Sequence, residues 1–528
     1  MSSDTSSPVN QDPRFGVGRT VAVIGAGISG VCAAAHLLKH GLQVTVFERS
    51  SFAGGVWHFD ELVPNDPPYP NNLPSSGDYN VSKPGEFAYS TPPPEPHDDG
   101  GDGGALSSAT GSKDIVELEV SFSPPGPAYA GLKNNIPTNI LVSSLGPWPE
   151  GTEPIVGQSV VEEYIQTLAR NNGVDNITHF HARVEEARKT PTGVWEIRSV
   201  SLEKGESGPR LVERLSYFDL LVVASGHYGM PRVPDIPGLK EWKSAFPSRV
   251  SHSKQYRRPN KYQGRNLLVV GAGVSSLDIC KELSSFANKI YQSVRGGTYD
   301  TPASMLPPNA LRVGPPARFD LQEKRREGQQ TLGSVVLADG QVLDDITDVI
   351  LATGYVTSYP FLPQFHSDTA SITEAGESLI VTSGGDMAHN LHRDIFYIND
   401  PTLAFVGVPY YVSTFSLFDY QSQALARAFA GKARLPSREE MRAEYEDRVK
   451  QKGLGRTFHA LNQPGHEYQY VKNLVDWVNE DGDKLGETPM YVPTEGWISD
   501  FDEFKAKIFK ARAAGTSAPE ADSTVLTT

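Results

Sequence analysis

The hydrophobic pattern of the chain repeats one strand–helix–strand arrangement at two distant places. In residues 20–48 the apolar run TVAVIG predicts a strand, GISGVCAAAHLLKH a helix that ends at Gly41, and QVTVFE a second strand. In residues 265–295 the segments RNLLVVG, SSLDICKELSSFA and KIYQSVR follow in the same order. Alternating apolar strands and helices build parallel sheets, so both units predict an α/β fold.

Weaker patterns fill the chain between and after these two units. They predict an amphipathic helix at 158–172, two strands in HFHARVEEARK and GVWEIRSV, a buried strand at 218–226, a strand pair at 333–354 and a helix at 418–431. Residues 60–128 differ, because they are rich in proline and glycine and show little periodicity. We interpret them as a long, partly disordered surface insertion that could cover a site as a lid.

The turn between the first strand and its helix carries the spacing G-x-G-x-x-G in Gly25, Gly27 and Gly30. Such glycines allow a tight turn, a close approach of a pyrophosphate and close packing of helix on strand. The helix N-terminus offers free N–H groups to phosphate, and Glu48, eighteen residues after Gly30, stands where a carboxylate accepts hydrogen bonds from a ribose. This pattern predicts a dinucleotide site, against the alternative of a turn that is simply tight.

The second turn begins in the same way, with Gly271 and Gly273, but has Ser276 at the third position. Serine is close in size to the alanine that this fingerprint accepts, so we expect a working site. Eighteen residues further on stands Val294, followed by Arg295, where the first unit has its acid. An arginine favours a 2′-phosphate, which predicts FAD at the first turn and NADPH at the second. A solvated arginine at a strand end is the alternative.

GGVWHF at 54–59 follows the first unit. Its glycines would let the backbone approach a ligand, and Trp57 could either flank a flavin or fill the core.

Composition narrows the class of protein. The 528 residues carry a formal net charge of -15, which argues against nucleic acid or an anionic membrane as a partner. No apolar run reaches the roughly 18 residues of a membrane span, and the polar N-terminus lacks the apolar core of a signal peptide, so we expect a cytoplasmic protein. The two cysteines, Cys32 and Cys280, form neither a C-x-x-C redox pair nor a metal cluster, and we expect both in the core and no metal site.

Taken together, these motifs and their order resemble a flavin-containing monooxygenase of the soluble fungal type over most of residues 20–435. GAGISG, FER and GGVW match its FAD elements, and YAGLKNNIP at 129–137 is similar to its Y-x-x-L-x-T-N-x-P element. That similarity implies that Asn135 places its amide beside the flavin ring. Asn134 stands where the family usually has threonine.

Three further segments carry the resemblance. VVASGHYGMPRVPDIPGL at 222–239 resembles the linker into the NADPH domain, and VILATGYVTSYPFLP at 349–363 the return from it. FPSRVSHSKQYRRP resembles the identifying motif F-x-G-x-x-x-H-x-x-x-[YF]-K, with Ser248 in place of its glycine and Arg257 in place of its lysine. Within it, His252 is expected to support the domain hinge and NADPH and is not assigned as a catalytic base.

The resemblance implies the following contacts. FAD is assigned to Gly25, Gly27, Ser29, Gly30, Glu48, Arg49, Gly55, Val56, Trp57 and Val184, and NADPH to Ser225, His252, Gly271, Gly273, Ser275, Ser276 and Arg295. The expected fold is α/β with two Rossmann-like dinucleotide-binding domains, the NADPH domain being inserted into the FAD domain. Its predicted parts are a disordered N-terminus (1–17), the FAD domain (18–225 and 353–440), the NADPH domain (226–352), a helical extension (441–515) and a disordered tail (516–528).

The resemblance also implies an activity. NADPH would reduce FAD, which with O2 would form a C4a-hydroperoxyflavin that oxygenates an amine nitrogen or a sulfide of a small molecule, as in secondary metabolism. A Baeyer–Villiger monooxygenase acting on a ketone is the first alternative, although its motif usually ends in tryptophan where this chain has Tyr256. A flavin-dependent amine or imine oxidase and a non-catalytic cofactor-binding regulator are the others, and a homodimer is left open.

Overall fold

The structure is a computed structural model that describes residues 12–89, 112–205, 208–297, 300–321 and 332–514. Three predicted segments lie wholly or partly outside the described residues: the N-terminal segment (residues 1–11), the centre of the insertion (90–111) and the tail (516–528).

The strands fall in two long groups along the chain, separated by the crossing near residue 230. Before it are β1 (Thr20–Ile24), β2 (Gln43–Phe47), β3 (Ala88–Tyr89), β4 (Thr178–His179), β5 (Ala182–Lys189), β6 (Trp195–Gly205), β7 (Gly208–Phe218) and β8 (Leu220–Val223). From it onwards are β9 (Met230–Pro231), β10 (Val250–His252), β11 (Asn266–Val270), β12 (Lys289–Ser293), β13 (Ala310–Val313), β14 (Pro316–Leu321), β15 (Gly333–Leu337), β16 (Val342–Leu343), β17 (Asp348–Leu351), β18 (Tyr355–Val356), β19 (Leu391–His392), β20 (Phe396–Tyr397) and β21 (Leu403–Phe405).

The helices follow the two glycine-rich turns and fill the C-terminal part. They are α1 (Ile28–Lys39), α2 (Ser112–Phe122), α3 (Gln158–Asn171), α4 (Leu239–Ala245), α5 (Val274–Leu283), α6 (Thr414–Phe429), α7 (Arg438–Lys452), α8 (His466–Leu485) and α9 (Glu495–Ala514). None of these helices is both long and apolar enough to cross a membrane, within the ranges that the structure describes.

The first sheet has seven strands in the order β19-β20-β21-β8-β1-β2-β4. β1 runs parallel to β2 and β8. Its residues 21–24 are buried and form a continuous apolar run, as is usual for a parallel strand that is covered on both faces. One face packs Val21 and Val23 against α1, α3 and α6. The other packs Ala22 and Ile24 against Trp195 and Ile197 of a mixed sheet of β3, β7, β6 and β5, in which only the β3–β7 pair is parallel.

The second sheet has five strands in the order β10-β17-β11-β12-β13, and its pairs are parallel. The chain enters it after β8 and returns to the first sheet after β17, and the two crossings pair with each other as β9 and β18. This confirms the α/β fold with two Rossmann-like units, the second inserted into the first.

The pattern underestimated the strands in three stretches. HFHARVEEARK, predicted as one strand, holds β4 and β5, since His181 adopts a positive φ of 52° between them. β7 was not predicted, because its 11 residues, GPRLVERLSYF, mix charged and apolar side chains without the regular alternation that indicates a strand, although it pairs with β6 and β3. The expected strand pair at 333–354 is three strands, of which β15 and β16 pair antiparallel while β17 joins the second sheet.

Candidate active site

Both glycine-rich turns open into one cavity of about 1690 Å³ that lies between the two sheets and the C-terminal helices. Gly25 and Gly27 line it on one side, and Gly271 and Gly273 on the other. A cavity of this size can hold two dinucleotides in part and a small molecule besides, since pockets for drug-sized ligands span roughly 300–1,000 Å³. The two sequence units therefore meet at a common site.

The first turn is closed by a backbone contact that only glycine permits. A Cβ at Gly30 would lie 1.8 Å from the carbonyl oxygen of Gly25, so α1 packs directly against the turn. Gly30 itself stands behind the turn and does not line the cavity, while Gly25, Gly27 and Ser29 do. The N-terminus of α1 points its free N–H groups at this space, which fits a pyrophosphate.

Glu48 stands beside the first turn, directly after β2. Its Oε2 accepts a hydrogen bond from the Ala26 N–H at 2.7 Å, and its Oε1 accepts from the backbone and hydroxyl of Ser50 at 2.8 Å. The side chain is buried yet borders the cavity. The carboxylate is thus held in one orientation, with lone pairs left for ribose hydroxyls.

The segment 54–57 packs onto the first turn. A Cβ at Gly55, whose φ is +58°, would lie 2.9 Å from the Gly27 Cα, and Gly54 donates a hydrogen bond to the Ala26 carbonyl at 3.1 Å. Val56 and Trp57 line the cavity, and Trp57 also packs against the helical core of the first sheet. Trp57 can therefore both flank a flavin and fill the core, because it borders the cavity as well as the core.

The second turn replaces the third glycine by a bonded serine. Ser276 is fully buried, its hydroxyl donates to the Gly271 carbonyl at 2.6 Å, and Gln292 of β12 donates to the same hydroxyl at 2.9 Å. A Cβ at Gly273 would meet no atom within 4 Å, which leaves open space at the N-terminus of α5. The turn accommodates the serine and keeps a cradle for phosphate.

Arg295 follows β12 and lines the same cavity, as does Ser275. Its side chain is exposed, and the described part of the chain shows no ion pair to it. Burial lowers the pKa of Arg232, as do the nearby cations of Arg456 and Arg295, while Asp386 opposes the change. A cationic patch therefore borders the second turn, which fits an anionic group there.

Asn135 is presented by a turn that Asn134 holds in place. Asn134 is buried, and its amide donates to the carbonyls of Ile136 and Pro154 at 2.8 Å each and accepts from the Val156 N–H at 2.6 Å. Asn135 is exposed and lines the cavity. The asparagine at the family's usual threonine position thus supplies three backbone contacts, and the local hydrogen bonding is complete.

His252 belongs to the hinge between the sheets. It is fully buried and does not line the cavity. Its Nε2 donates to the Gly354 carbonyl at 3.1 Å, and its Nδ1 accepts from the Lys254 N–H at 3.1 Å. Burial lowers the pKa of this imidazole to about 3, so it is neutral at pH 7. His252 was predicted to contact NADPH, but it lies behind the cavity wall and does not line the cavity.

The remaining predicted residues also border the cavity. Ser225 follows β8 and is exposed, and Val184 is a buried residue of β5. Arg49 lines the cavity while both of its terminal nitrogens donate to Asp78 at 2.9 Å. Its guanidinium is therefore committed to a protein carboxylate. Cys32 and Cys280 are buried and free, and no metal-binding group of His, Cys, Asp and Glu occurs in the ranges the structure describes.

Sequence reasoning missed several residues of the cavity wall. Asp78 comes from the insertion, Lys254 from the identifying motif, and Arg456, Phe501 and Phe504 from the helical extension. Asp78 lies in a segment without periodicity, and the extension carries no motif, so neither gave a signal.

His227 was also missed, although it stands in the linker after β8. Burial lowers the pKa of His227 to about 4, so this side chain of the cavity wall is neutral at pH 7.

Comparisons with known proteins agree with this geometry. The family model described as Flavin-binding monooxygenase-like matches residues 128–303 and 321–485, and a NAD(P)-binding Rossmann-like domain matches 23–76. The flavin-containing monooxygenase ustF2 of Aspergillus flavus is 40% identical over 87% of this chain and 91% of its own. Flavin-containing monooxygenase iboF of Amanita muscaria is 31% identical over 87% of this chain and 88% of its own.

Solved structures share the fold. The S-allyl-L-cysteine S-oxygenase of Allium sativum superposes with a TM-score of 0.64 at 23% identity, covering 96% of this chain and 95% of its own. Tmm from Pelagibacter sp. strain HTCC7211 gives a TM-score of 0.65 at 18% identity, covering 96% and 98%. The family match spans more than half of the chain, and the fungal relatives align over most of it. The chain belongs to the flavin-binding monooxygenase-like family, and its cofactors are FAD and NADPH.

Proposed function

We propose that this enzyme uses NADPH and O2 to oxygenate a soft nucleophile, an amine nitrogen or a sulfide sulfur, of a small molecule. When bound, reduced FAD supplies the reaction with O2 and an oxygen atom for transfer. One oxygen atom goes to the substrate and the other leaves as water, while NADPH is oxidised to NADP+. We further propose that the first turn holds FAD and that residues 226–352 deliver NADPH.

The observation that carries this proposal is the place of Asn135 on the shared cavity wall. One cavity touches both glycine-rich turns, and Asn135 adds an amide donor on a turn whose backbone is held by the bonds of Asn134. A donor held in advance stabilises developing negative charge on an oxygen without rearrangement. Phe501 and Phe504 give the same cavity an apolar wall, which helps to exclude water.

Only the substrate distinguishes the alternative of ketone oxygenation from the proposed reaction. Tyr256, the motif position at which this chain departs from Baeyer–Villiger enzymes, is buried, donates to Glu282 at 2.8 Å and does not line the cavity. Tyr256 therefore distinguishes the sequence motif of this chain from that of Baeyer–Villiger enzymes, but it does not line the cavity in which a substrate would bind. Cyclohexanone monooxygenase shares the fold at 12% identity with a TM-score of 0.54, which carries no argument about substrate.

The experiment compares NADPH consumed with product formed for three probes: a tertiary amine, an aryl methyl sulfide and cyclohexanone. We expect the amine or the sulfide to give one oxide per NADPH and the ketone to give no lactone. Lactone as the main product would favour the ketone reaction, imine with peroxide would favour an oxidase, and no NADPH consumption would favour a regulator.

Asn135→Ser tests the role of the amide. We expect the variant to retain FAD and its reduction by NADPH, while product yield falls about 10-fold or more and peroxide replaces it. Asn139→Ser is the matched control, since Asn139 is an exposed residue of the same segment that donates to Asp500 at 3.0 Å and does not line the cavity. Normal product yield in Asn135→Ser would contradict the role.

A further inference from the structure

The insertion is fastened at both ends to the second sheet. The buried guanidinium of Arg257 donates to the carbonyls of Leu62 at 2.9 Å, Gly126 at 3.2 Å and Ala128 at 3.3 Å. Gln255, two residues earlier, donates to the Pro64 carbonyl at 3.2 Å. The described ends of the insertion are therefore held by one short segment of the second sheet, which is unlike a lid that swings from one side.

From within the insertion, Asp78 joins two cations of different origin. Its Oδ1 and Oδ2 accept from both terminal nitrogens of Arg49 at 2.9 Å each, and its Oδ2 also accepts from Lys254 Nζ at 2.9 Å. We call Arg49, Asp78 and Lys254 the Asp78 cluster. All three residues border the cavity.

The three members of the Asp78 cluster come from three separate parts of the molecule. Arg49 follows Glu48 at the end of β2, beside the first turn. Lys254 follows β10 of the second sheet, and its Nζ also donates to the Gly229 carbonyl at 2.7 Å in the crossing from the first sheet to the second. The cluster therefore connects the first sheet, the insertion, the crossing and the second sheet at one carboxylate.

Two members of the cluster, Asp78 and Lys254, are shielded from water, while the side chain of Arg49 is 28% exposed. The side chain of Lys254 is 2% exposed and that of Asp78 9%. Burial by itself would raise the pKa of Asp78, but Arg49 and Lys254 outweigh it and lower that pKa, so the carboxylate stays charged. Breaking a buried ion pair leaves an uncompensated charge, so the arrangement has few alternatives of similar free energy.

We propose that Asp78 is a positioning residue that fixes the second sheet at the distance from the first at which NADPH faces the flavin. This rests on the proposed function, in which NADPH at the second turn reduces FAD at the first. Transfer between two bound molecules needs the reacting atoms about 3–3.5 Å apart, and misplacement by about 1 Å can cost 100-fold. The insertion thereby takes part in the reaction without touching the reacting atoms.

The test uses Asp78→Asn in the full chain loaded with FAD. Two quantities are measured: NADP+ binding to the oxidised enzyme by titration, and flavin reduction by NADPH without oxygen. We expect FAD content near that of the wild type, NADP+ binding weakened about 10-fold, and reduction slowed about 10-fold or more at saturating NADPH. A purely structural role would lower the yield of folded enzyme and leave both constants of the folded fraction unchanged.

Lys254→Met gives a second test should Asp78→Asn fold poorly, because it leaves Asp78 paired with Arg49. Asp78→Asn and Lys254→Met should each slow flavin reduction. The variant with both substitutions should be no slower than the slower of the two, since both remove the contact between Asp78 and Lys254. Asp66→Asn is the matched control: this insertion acid accepts from Lys243 and from Gln255, so it also joins the insertion to the second sheet's unit, but it is 46% exposed and lies outside the cavity wall.

The outcomes separate the two proposals. A wild-type enzyme whose flavin NADPH does not reduce overturns the proposed function. If NADPH reduces the wild-type flavin normally, and Asp78→Asn and Lys254→Met equal the wild type in NADP+ binding and in reduction rate, only the positioning role is overturned. Equal losses in Asp66→Asn would also overturn it, because the effect would then belong to any acid of the insertion.

Discussion

The two glycine-rich turns share a backbone plan and differ in what surrounds it. At the first turn, helix and turn touch so closely that a Cβ at Gly30 would lie 1.8 Å from a carbonyl oxygen. At the second, Ser276 fills the corresponding place and its hydroxyl donates to the carbonyl of Gly271. The same fingerprint is thus built once with direct backbone packing and once with a side-chain hydrogen bond.

The residues that follow each second strand differ as well. Glu48 is buried and bonded back to its turn through Ala26, whereas Arg295 is exposed on the cavity wall. A buried, oriented acid suits a cofactor that stays bound, and an exposed cation suits a phosphate that arrives and leaves. Under the proposed function, the fingerprint specifies a dinucleotide, and the residue after the next strand distinguishes FAD from NADPH.

The largest expected effect is that of Gly30→Ala. The added Cβ would overlap the backbone carbonyl of Gly25, so α1 or the turn must move, at a cost of about 1–3 kcal/mol or more. We expect FAD binding at least about 10-fold weaker and protein that purifies with little flavin, measured by absorbance after gel filtration. Full flavin content would show that the close packing at the first turn is not needed.

A smaller effect is expected for Arg295→Ala. Loss of a charge-assisted bond to a 2′-phosphate should weaken NADPH about 10- to 100-fold and leave NADH nearly unchanged, as measured by flavin reduction with each cofactor. Lys289→Gln is the matched control, because Lys289 begins β12, the strand that Arg295 follows, pairs with Asp345 at 3.5 Å and does not line the cavity. Equal losses for both cofactors would remove the distinction between the two turns.

The smallest effect is expected for Ser276→Gly, which gives the second turn the residue of the first. The hydroxyl bonds to Gly271 and Gln292 inside the protein, so its loss should lower the Tm by a few degrees, at about 1 kcal/mol. NADP+ affinity should change less than about threefold. A tenfold change in affinity with an unchanged Tm would mean that the serine contacts the ligand.

The sequence predicted those parts of the site that depend on neighbours in the chain. The glycines, Glu48 and Arg295 follow from local spacing, and the structure places all of them except Gly30 on the cavity wall. Asp78 and Arg456 could not be found in this way, because their partners lie far along the chain and their segments have no periodicity. His252 shows the limit: the motif predicted a role at the crossing and with NADPH, but its partner Gly354, 102 positions away, could be found only in the structure, and His252 does not line the cavity.

The central claim is that the two turns bind two different dinucleotides at the same time. Titration of the purified, FAD-containing enzyme with NADP+ and with NAD+, while the flavin content is followed, tests it most directly. We expect one FAD per chain to be retained throughout, saturable NADP+ binding at a second site, and much weaker NAD+ binding. Release of FAD as NADP+ binds, or equal affinity for NADP+ and NAD+, would contradict it.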